Sequence, residues 1–215
     1  MLPQNDSLKE ASVPESDPKD LYTTKTTPML IQVPRLSFAC VHGQGDPNGP
    51  DFALATSALY SFSYAVKMSY KGPHKPEGYT AYKVYPLEGV WDLADKQLAA
   101  TNKSNYVFDL MIRQPSFVTP DVFRFFLAET RKKKPNPWLE RMEFIQLEEG
   151  LCCQMLHLGP YDDEPASFAR MQAFCEQQGY LRAERTHREI YLNDPRRVAP
   201  EKIRTILRFK VGLVG

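Results

Sequence analysis

The sequence has almost no net charge and no long hydrophobic run. Its 215 residues include 27 basic and 26 acidic side chains, a formal net charge of +1. This balance gives no electrostatic reason to expect nucleic acid or an anionic membrane as the partner. No apolar run approaches the length of a membrane span, and the first 30 residues lack the apolar core of a signal peptide. We therefore expect a cytoplasmic protein whose partner is a small neutral or amphipathic molecule.

Cysteines are few, and their spacing excludes the common metal and redox motifs. The chain has no CxxC pair and no metal-ligand spacing between cysteine and histidine, the cysteines being Cys40, Cys152, Cys153 and Cys175. We expect reduced thiols, at least one of them buried, and neither a metal nor an organic cofactor. The neighbours Cys152 and Cys153 should point to opposite faces of a strand.

Signatures of nucleotide binding and of serine hydrolases are also lacking. The sequence contains no G-x-S-x-G, and GQGDPNG lacks the third glycine of a dinucleotide-binding loop. The basic run RKKK at 131–134 follows a predicted helix, where cations complement the helix dipole. This run therefore indicates a solvated helix end rather than a nucleic-acid patch.

The chain divides into a polar tail and one domain. Residues 1–20 contain almost nothing to bury, so we expect a disordered tail before a domain that spans 21–215. The segment 143–159 is predicted to form two strands around a turn at Glu148, Glu149 and Gly150. Runs of aromatic and β-branched residues predict strands at 36–43, 79–87, 105–113, 143–159, 186–192 and 203–211.

Three predicted helices separate these strands. The second begins at the N-cap Thr119 with Pro120 after it, and the third follows PYDDEP and stops at Gly179. Each half then has a strand, a turn, a helix and two further strands. This order predicts an α+β fold of duplicated β-α-β-β units, with antiparallel sheets around a central cleft. The first helix carries an apolar stripe formed by Phe52, Ala55, Leu59, Phe62 and Val66.

Strand alternation in THREIYL, residues 186–192, raises the question of a site. His187, Glu189 and Tyr191 should share one face of this strand. That face could be solvated, or it could be the polar floor of an apolar pocket. Three aromatic residues, Tyr60, Tyr64 and Trp91, likewise could be core or could form an aromatic box for flat, often cationic compounds.

Several motifs resemble those of the GyrI-like small-molecule-binding family. They are PEGYTAYKVYPLEGVW, EEGLCCQMLHLGPYDDEP and HREIYLNDPRRVAPEKIRT, and the likeness runs from about Tyr22 to Phe209. The match is nearest to a stand-alone bacterial branch, some members of which are cyclopropanoid cyclopropyl hydrolases. The resemblance implies a duplicated SHS2-type fold and a central cleft for flat hydrophobic xenobiotics. It also implies a glutamate deep in that cleft, which Glu189 matches, and family aromatics at Trp91 and Tyr64.

Two functions follow from this resemblance. The first is a hydrolase that detoxifies DNA-alkylating compounds by opening an activated cyclopropane ring with water. It needs one base and one oxyanion donor, for which we assign Glu189 as base and Tyr64 or Tyr191 as donor. The alternative is a non-catalytic module that binds or senses drugs. In either case we expect the cleft to be lined by Trp91, Tyr191, Tyr60, Glu88 and His157.

Overall fold

A computed structural model describes residues 20–98 and 102–213 of the chain. The predicted tail, 1–20, lies outside these ranges except for Asp20. In chain order the elements are β1 Met29–Gln44, α1 Pro50–Met68, β2 Leu87–Leu93, β3 Tyr106–Gln114, α2 Pro120–Lys133, β4 Glu143–Leu158, α3 Glu164–Gln177, β5 Tyr180–Arg182, β6 His187–Tyr191 and β7 Arg204–Leu213.

The strands form one antiparallel sheet that closes on itself. Their order is β4-β1-β3-β2-β6-β7, and β7 pairs with β4 to complete a barrel, while β5 pairs with the end of β7. Closure gives the barrel an interior and an outer face, between which side chains alternate. The α+β class is confirmed, but the strands form a barrel rather than separate sheets on either side of a cleft.

The helices cover part of the outer face. α1 and α2 pack over β1 and β3 in the larger apolar cluster, and α3 packs over β4 and β7 in a second one. The predicted helix starts are confirmed at α2, where the Thr119 hydroxyl accepts a hydrogen bond from the Val122 amide at 3.3 Å. Gly179 follows α3 with a φ of +78°, a conformation that glycine adopts without strain.

Two predicted strands are corrected by the structure. Segment 143–159 holds no hairpin: β4 continues through Gly150 and pairs with β1 from Glu143–Cys40 to Gln154–Met29. Gly150 has a φ of +69°, so its turn-like conformation is absorbed as an irregularity within a long strand. Segment 79–86 precedes β2 without pairing, because its aromatic rings pack on one another and on Phe117 instead.

The barrel interior holds a buried network of charges. Arg188 on β6 bonds Glu88 on β2 at 2.8 Å and Glu149 on β4 at 2.9 Å. Arg208 on β7 bonds Glu149 at 3.1 Å and Gln154 at 3.0 Å. Burial raises the pKa of Glu149, but the two guanidinium groups outweigh it and hold that pKa below its usual range. Paired in this way, the charges can be buried in the interior.

Candidate active site

The candidate site lies on the outer face of the barrel, where β2 and β6 run between α1 and α3. The pairing sets Gly89 opposite Glu189 and Trp91 opposite His187, so Trp91 and Glu189 share this face. On the α1 side Phe52 stacks on Trp91, with ring centroids 5.9 Å apart. On the α3 side Phe168 meets the His187 ring edge-on at 4.8 Å. We call this strip the interhelical groove.

A chain of hydrogen bonds orients Glu189 in the groove. Trp91 Nε1 donates to the Tyr191 hydroxyl at 2.9 Å, and that hydroxyl donates to Glu189 Oε2 at 2.9 Å. His187 Nε2 lies 3.0 Å from the other carboxylate oxygen, Oε1. Glu189 is only 9% exposed, so its carboxylate is held in place and largely shielded from solvent. The predicted shared face of His187, Glu189 and Tyr191 is confirmed.

The groove has room for these groups because residue 89 is glycine. A Cβ at Gly89 would lie 2.8 Å from Trp91 Nε1 and 3.1 Å from the Tyr191 hydroxyl oxygen. A side chain here would press on the hydrogen bond that links β2 to β6. Gly89 was not among the residues expected at the site, although it stands within the PLEGVW motif.

Two residues of the PYDDEP motif complete the groove on the α3 side. Glu164 is 7% exposed, and its burial together with the nearby Glu189 and Asp162 carboxylates raises its pKa to about 9. The Tyr161 ring stands perpendicular to that of Tyr191, with centroids 6.2 Å apart. Neither Glu164 nor Tyr161 was assigned to the site from sequence, because their motif was interpreted as a helix start and a family signature, without a role for either side chain.

The tyrosines of α1 lie toward the mouth of the groove. Tyr60 is half-buried, and burial, with a smaller effect of the Asp194 carboxylate, raises its pKa. Burial, then the Glu189, Glu164 and Asp194 carboxylates, raise the pKa of Tyr161 to about 12. Tyr64 is 48% exposed, and its ring contacts Tyr60, at a centroid distance of 6.3 Å, rather than Glu189.

Two residues expected in the cleft lie elsewhere. Glu88 points to the opposite side of β2 from Trp91 and is 3% exposed in the barrel interior, paired with Arg188. Side chains alternate along a strand, so residues an odd number of positions apart face opposite ways. Glu88 and Trp91 are three apart and cannot both line the groove. His157 uses its ring nitrogens within its own loop and helix, at 2.9 Å from Ser167 Oγ and 3.0 Å from the Pro160 carbonyl oxygen. It lines a separate surface cavity of about 370 Å³ with Ser167.

The groove also contains the donor atoms that could hold a metal ion. One atom each from Glu164, His187 and Glu189 lie within 4.8 Å of one another. In the described structure, however, both oxygens of Glu189 already bond to His187 and Tyr191. The pKa of Glu164 is raised to about 9, so a metal ion would have to displace the proton of this acid. This set of groups therefore fits acid–base chemistry better than metal binding.

The thiols are unsuited to nucleophilic chemistry. All four cysteines are free and buried. Cys152 packs in the barrel interior and Cys153 against α3, which confirms their opposite directions. Burial raises the pKa of Cys40 and of Cys152 to about 12, so both remain protonated at neutral pH. The acid–base groups of the groove are left as the reactive candidates.

The chain matches the model of a known protein family. A model of the GyrI-like small-molecule-binding domain matches residues 26–211. The chain belongs to the GyrI-like family. The resemblance inferred from its motifs is thereby confirmed, and binding of a small molecule is the property that this family description states. A comparison with curated proteins gives no match.

Solved GyrI-like structures resemble this one over most of the chain. A hydrolase from Listeria innocua is 38% identical, with a TM-score of 0.82, covering 90% of this chain and 96% of its own. A second Listeria innocua hydrolase is 37% identical, with a TM-score of 0.84, and the shares are 91% and 96%. The EcmrR C-terminal domain shares the fold alone, with 14% identity, a TM-score of 0.54 and coverage of 87% and 98%. No helix in the described ranges is long and apolar enough to cross a membrane.

Proposed function

We propose that this GyrI-like protein binds flat, hydrophobic xenobiotics in the interhelical groove and opens an activated cyclopropane ring by adding water. The observation that carries the proposal is the shielded Glu189 carboxylate, held by Tyr191 and His187 beside an aromatic wall that includes Trp91. Similarity to Listeria innocua hydrolases at 37% and 38% identity supports a hydrolytic function. Ring opening would detoxify a DNA-alkylating compound.

In the proposed reaction Glu189 is the general base. It takes a proton from water as the water oxygen attacks the cyclopropane carbon, and negative charge moves to the carbonyl oxygen as the ring system becomes phenolic. The Tyr191 hydroxyl already donates a hydrogen bond to Glu189, so it orients the base. Tyr64 forms no hydrogen bond with the described residues, and its hydroxyl can therefore serve as the oxyanion donor. Trp91 and Tyr60 provide apolar surface for the ligand.

A ring-opening assay tests this proposal. The protein is incubated with a neutral, cyclopropane-bearing alkylator, and mass spectrometry follows the gain of one water. In Glu189→Gln the amide keeps the shape but cannot act as base, so turnover should fall by ~10²-fold or more while affinity changes little. Glu176→Gln, an exposed site on α3, is the matched control. Equal rates for Glu189→Gln and wild type would exclude Glu189 as the base.

The second candidate is a binding module without turnover. It is favoured by the family description, which states small-molecule binding and no reaction. Glu189 would then be the counter-charge for a cationic drug, and Glu189→Gln should weaken cationic ligands while sparing neutral ones. Tight binding of the neutral alkylator without ring opening in the wild type would decide for this candidate.

We further propose that the two halves are duplicated β-α-β-β units of SHS2 type. The order β1-α1-β2-β3 in the first half and β4-α3-β5-β6-β7 in the second supports this relationship. The near-zero net charge supports a small-molecule partner rather than nucleic acid, and the free thiols agree with a cytoplasmic location.

A further inference from the structure

Glu164, the first residue of α3, is a buried acid that the proposed reaction does not yet use. Its Oε1 forms no hydrogen bond with any residue in the described ranges, although the residue is only 7% exposed. One of its carboxyl oxygens lies within 4.8 Å of a carboxylate oxygen of Glu189. Buried polar atoms nearly always have a hydrogen-bond partner. An unpaired acceptor beside the proposed base therefore points to a molecule that both acids bind.

The separation of the two acids suits a single water molecule. Two oxygens that each bond the same water at about 2.8 Å, at a near-tetrahedral angle, lie roughly 4.5 Å apart. The oxygens of Glu164 and Glu189 lie within 4.8 Å of each other, a limit that admits this distance. A water at this point would contact the base and face the aromatic groove.

The charge state of Glu164 supports a role as neutral acceptor. Burial, then the Glu189 and Asp162 carboxylates, raise its pKa to about 9, so at pH 7 it keeps its proton while Glu189 lies next to it. Other titratable groups on this side are His187 and Tyr191, which contact Glu189, and the hydroxyls of Tyr161 and Tyr106, whose pKa values are raised by burial and then by neighbouring carboxylates.

We propose that Glu164 and Glu189 hold the attacking water between them, with neutral Glu164 accepting a hydrogen bond from one O–H while Glu189 removes the proton of the other. This inference rests on the hydrolytic function proposed above and names a second residue of the same site. Both hydrogens of the water are then engaged by the acids, and an oxygen lone pair is left to face the ligand.

The step balances without any further reactant. The water O–H bond to Glu189 breaks, and the water oxygen bonds to the cyclopropane methylene carbon. The bond breaks between that carbon and the spiro carbon, which the cyclopropane shares with the carbonyl-bearing ring. Its electron pair moves through this ring to the carbonyl oxygen, which becomes a phenolate. The proton on Glu189 returns to this oxygen through solvent, so the product gains one water and both acids recover their starting states.

Two substitutions at Glu164 separate this role from others. Glu164→Gln keeps a neutral carbonyl acceptor, so its turnover of the neutral alkylator at pH 7 should be at least about threefold higher than that of a variant without an acceptor. Glu164→Leu keeps the volume but removes the acceptor, and turnover should fall tenfold or more with little change in affinity. A loss in Glu164→Gln as large as in Glu189→Gln would overturn the proposal, because the proton or charge of Glu164 would then be essential.

The pH–rate profile gives a readout that a purely structural role would not move. As pH rises through about 9 the wild-type Glu164 ionises, and two adjacent carboxylates repel each other and separate the oxygens that hold the water. Wild-type turnover should therefore fall near pH 9, whereas the Glu164→Gln profile should lack this fall. The same alkaline limb in both proteins would contradict the assignment.

A crystal structure of the ligand-free protein distinguishes failure of this inference from failure of the hydrolytic function. An ordered water within hydrogen-bond distance of both Glu164 and Glu189, lost in Glu164→Leu, supports the inference even if no ring opening is observed. Absence of that water in the wild type overturns it, whatever the activity. Lack of turnover by wild-type protein rejects the proposed hydrolysis alone.

Discussion

At the scale of single residues, the site depends on the absence of a side chain at position 89. Gly89 allows Trp91 Nε1 and the Tyr191 hydroxyl to approach closely enough to bond at 2.9 Å. Since Tyr191 in turn bonds Glu189, this one contact between β2 and β6 helps to orient the Glu189 carboxylate. The requirement at residue 89 is therefore for space rather than for glycine's backbone freedom, because its φ is not positive.

Adding one methyl group at this position should disturb the site. In Gly89→Ala the new Cβ would lie 2.8 Å from Trp91 Nε1, so the Trp91–Tyr191 pair must shift. We expect a loss of roughly 1–3 kcal/mol in the free energy of unfolding, typical of overpacking, and at least tenfold slower ring opening. Gly212→Ala is the control, because a Cβ there meets nothing within 4 Å. Urea unfolding measures the loss of stability, and the mass-spectrometric assay measures ring opening. Full activity in Gly89→Ala would show that the Trp91–Tyr191 bond is dispensable.

At the scale of elements, a short N-terminal turn is part of the barrel structure. Leu21 is 2% exposed, and its carbonyl accepts a hydrogen bond from Arg208 at 2.7 Å. The Asp20 carbonyl accepts another from Gln154 at 2.6 Å. These two carbonyls lie outside the strands and supply hydrogen-bond acceptors to Arg208 and Gln154 of the buried network. Asp20 and Leu21 therefore contribute to the buried network of the barrel.

Two truncations should separate the tail from this turn. Deleting residues 1–19 should leave the melting temperature nearly unchanged, since that polar segment buries too little apolar area to offset its ordering entropy. Deleting 1–22 also removes the Leu21 side chain and both carbonyl acceptors, so the melting temperature should fall by several degrees. A similar fall after the shorter deletion would mean that the tail docks on the domain. Thermal melts at equal protein concentration provide the comparison.

At the scale of the whole molecule, buried ion pairs connect distant strands across the barrel. Glu149 on β4 meets Arg188 on β6 and Arg208 on β7, and Arg188 also meets Glu88 on β2. Glu149 follows Ile145 and Leu147 into the interior by ordinary strand alternation, and beyond Gly150 the alternation changes, so that the even-numbered Cys152 and Leu156 face inside. The barrel thus depends on a local irregularity that the sequence suggested only as a turn.

Removing the charge at the centre of this network should destabilise the fold. Glu149→Gln leaves Arg208 buried without a carboxylate, and we expect a loss of roughly 3–5 kcal/mol. Glu148→Gln is the control, because its pair with Arg35 is exposed and worth at most about 1 kcal/mol. The pKa of Glu149 is lowered in the folded protein. The stability that its ionised form contributes should therefore persist above pH 4.5 and fade as the acid is protonated at lower pH. Equal urea midpoints for Glu149→Gln and Glu148→Gln at pH 7 would refute a stabilising role of the buried network.

The sequence by itself determined features that depend on near neighbours along the chain. Strand alternation predicted that His187, Glu189 and Tyr191 share a face, and capping chemistry predicted the start of α2 at Thr119. Both follow from backbone geometry over a few residues. The family motifs likewise pointed to Glu189 without any knowledge of its surroundings.

Only the tertiary structure decided which groups surround that carboxylate. The alternation of β2 shows that Glu88 and Trp91 lie on opposite faces, but barrel closure determines that Glu88 is in the interior and Trp91 in the groove. The pairing of Gly89 with Glu189 joins residues 100 positions apart, and Glu164 becomes a buried acid only because α3 packs beside β6. Such contacts depend on strand pairing and desolvation across the whole barrel, which local periodicity does not encode.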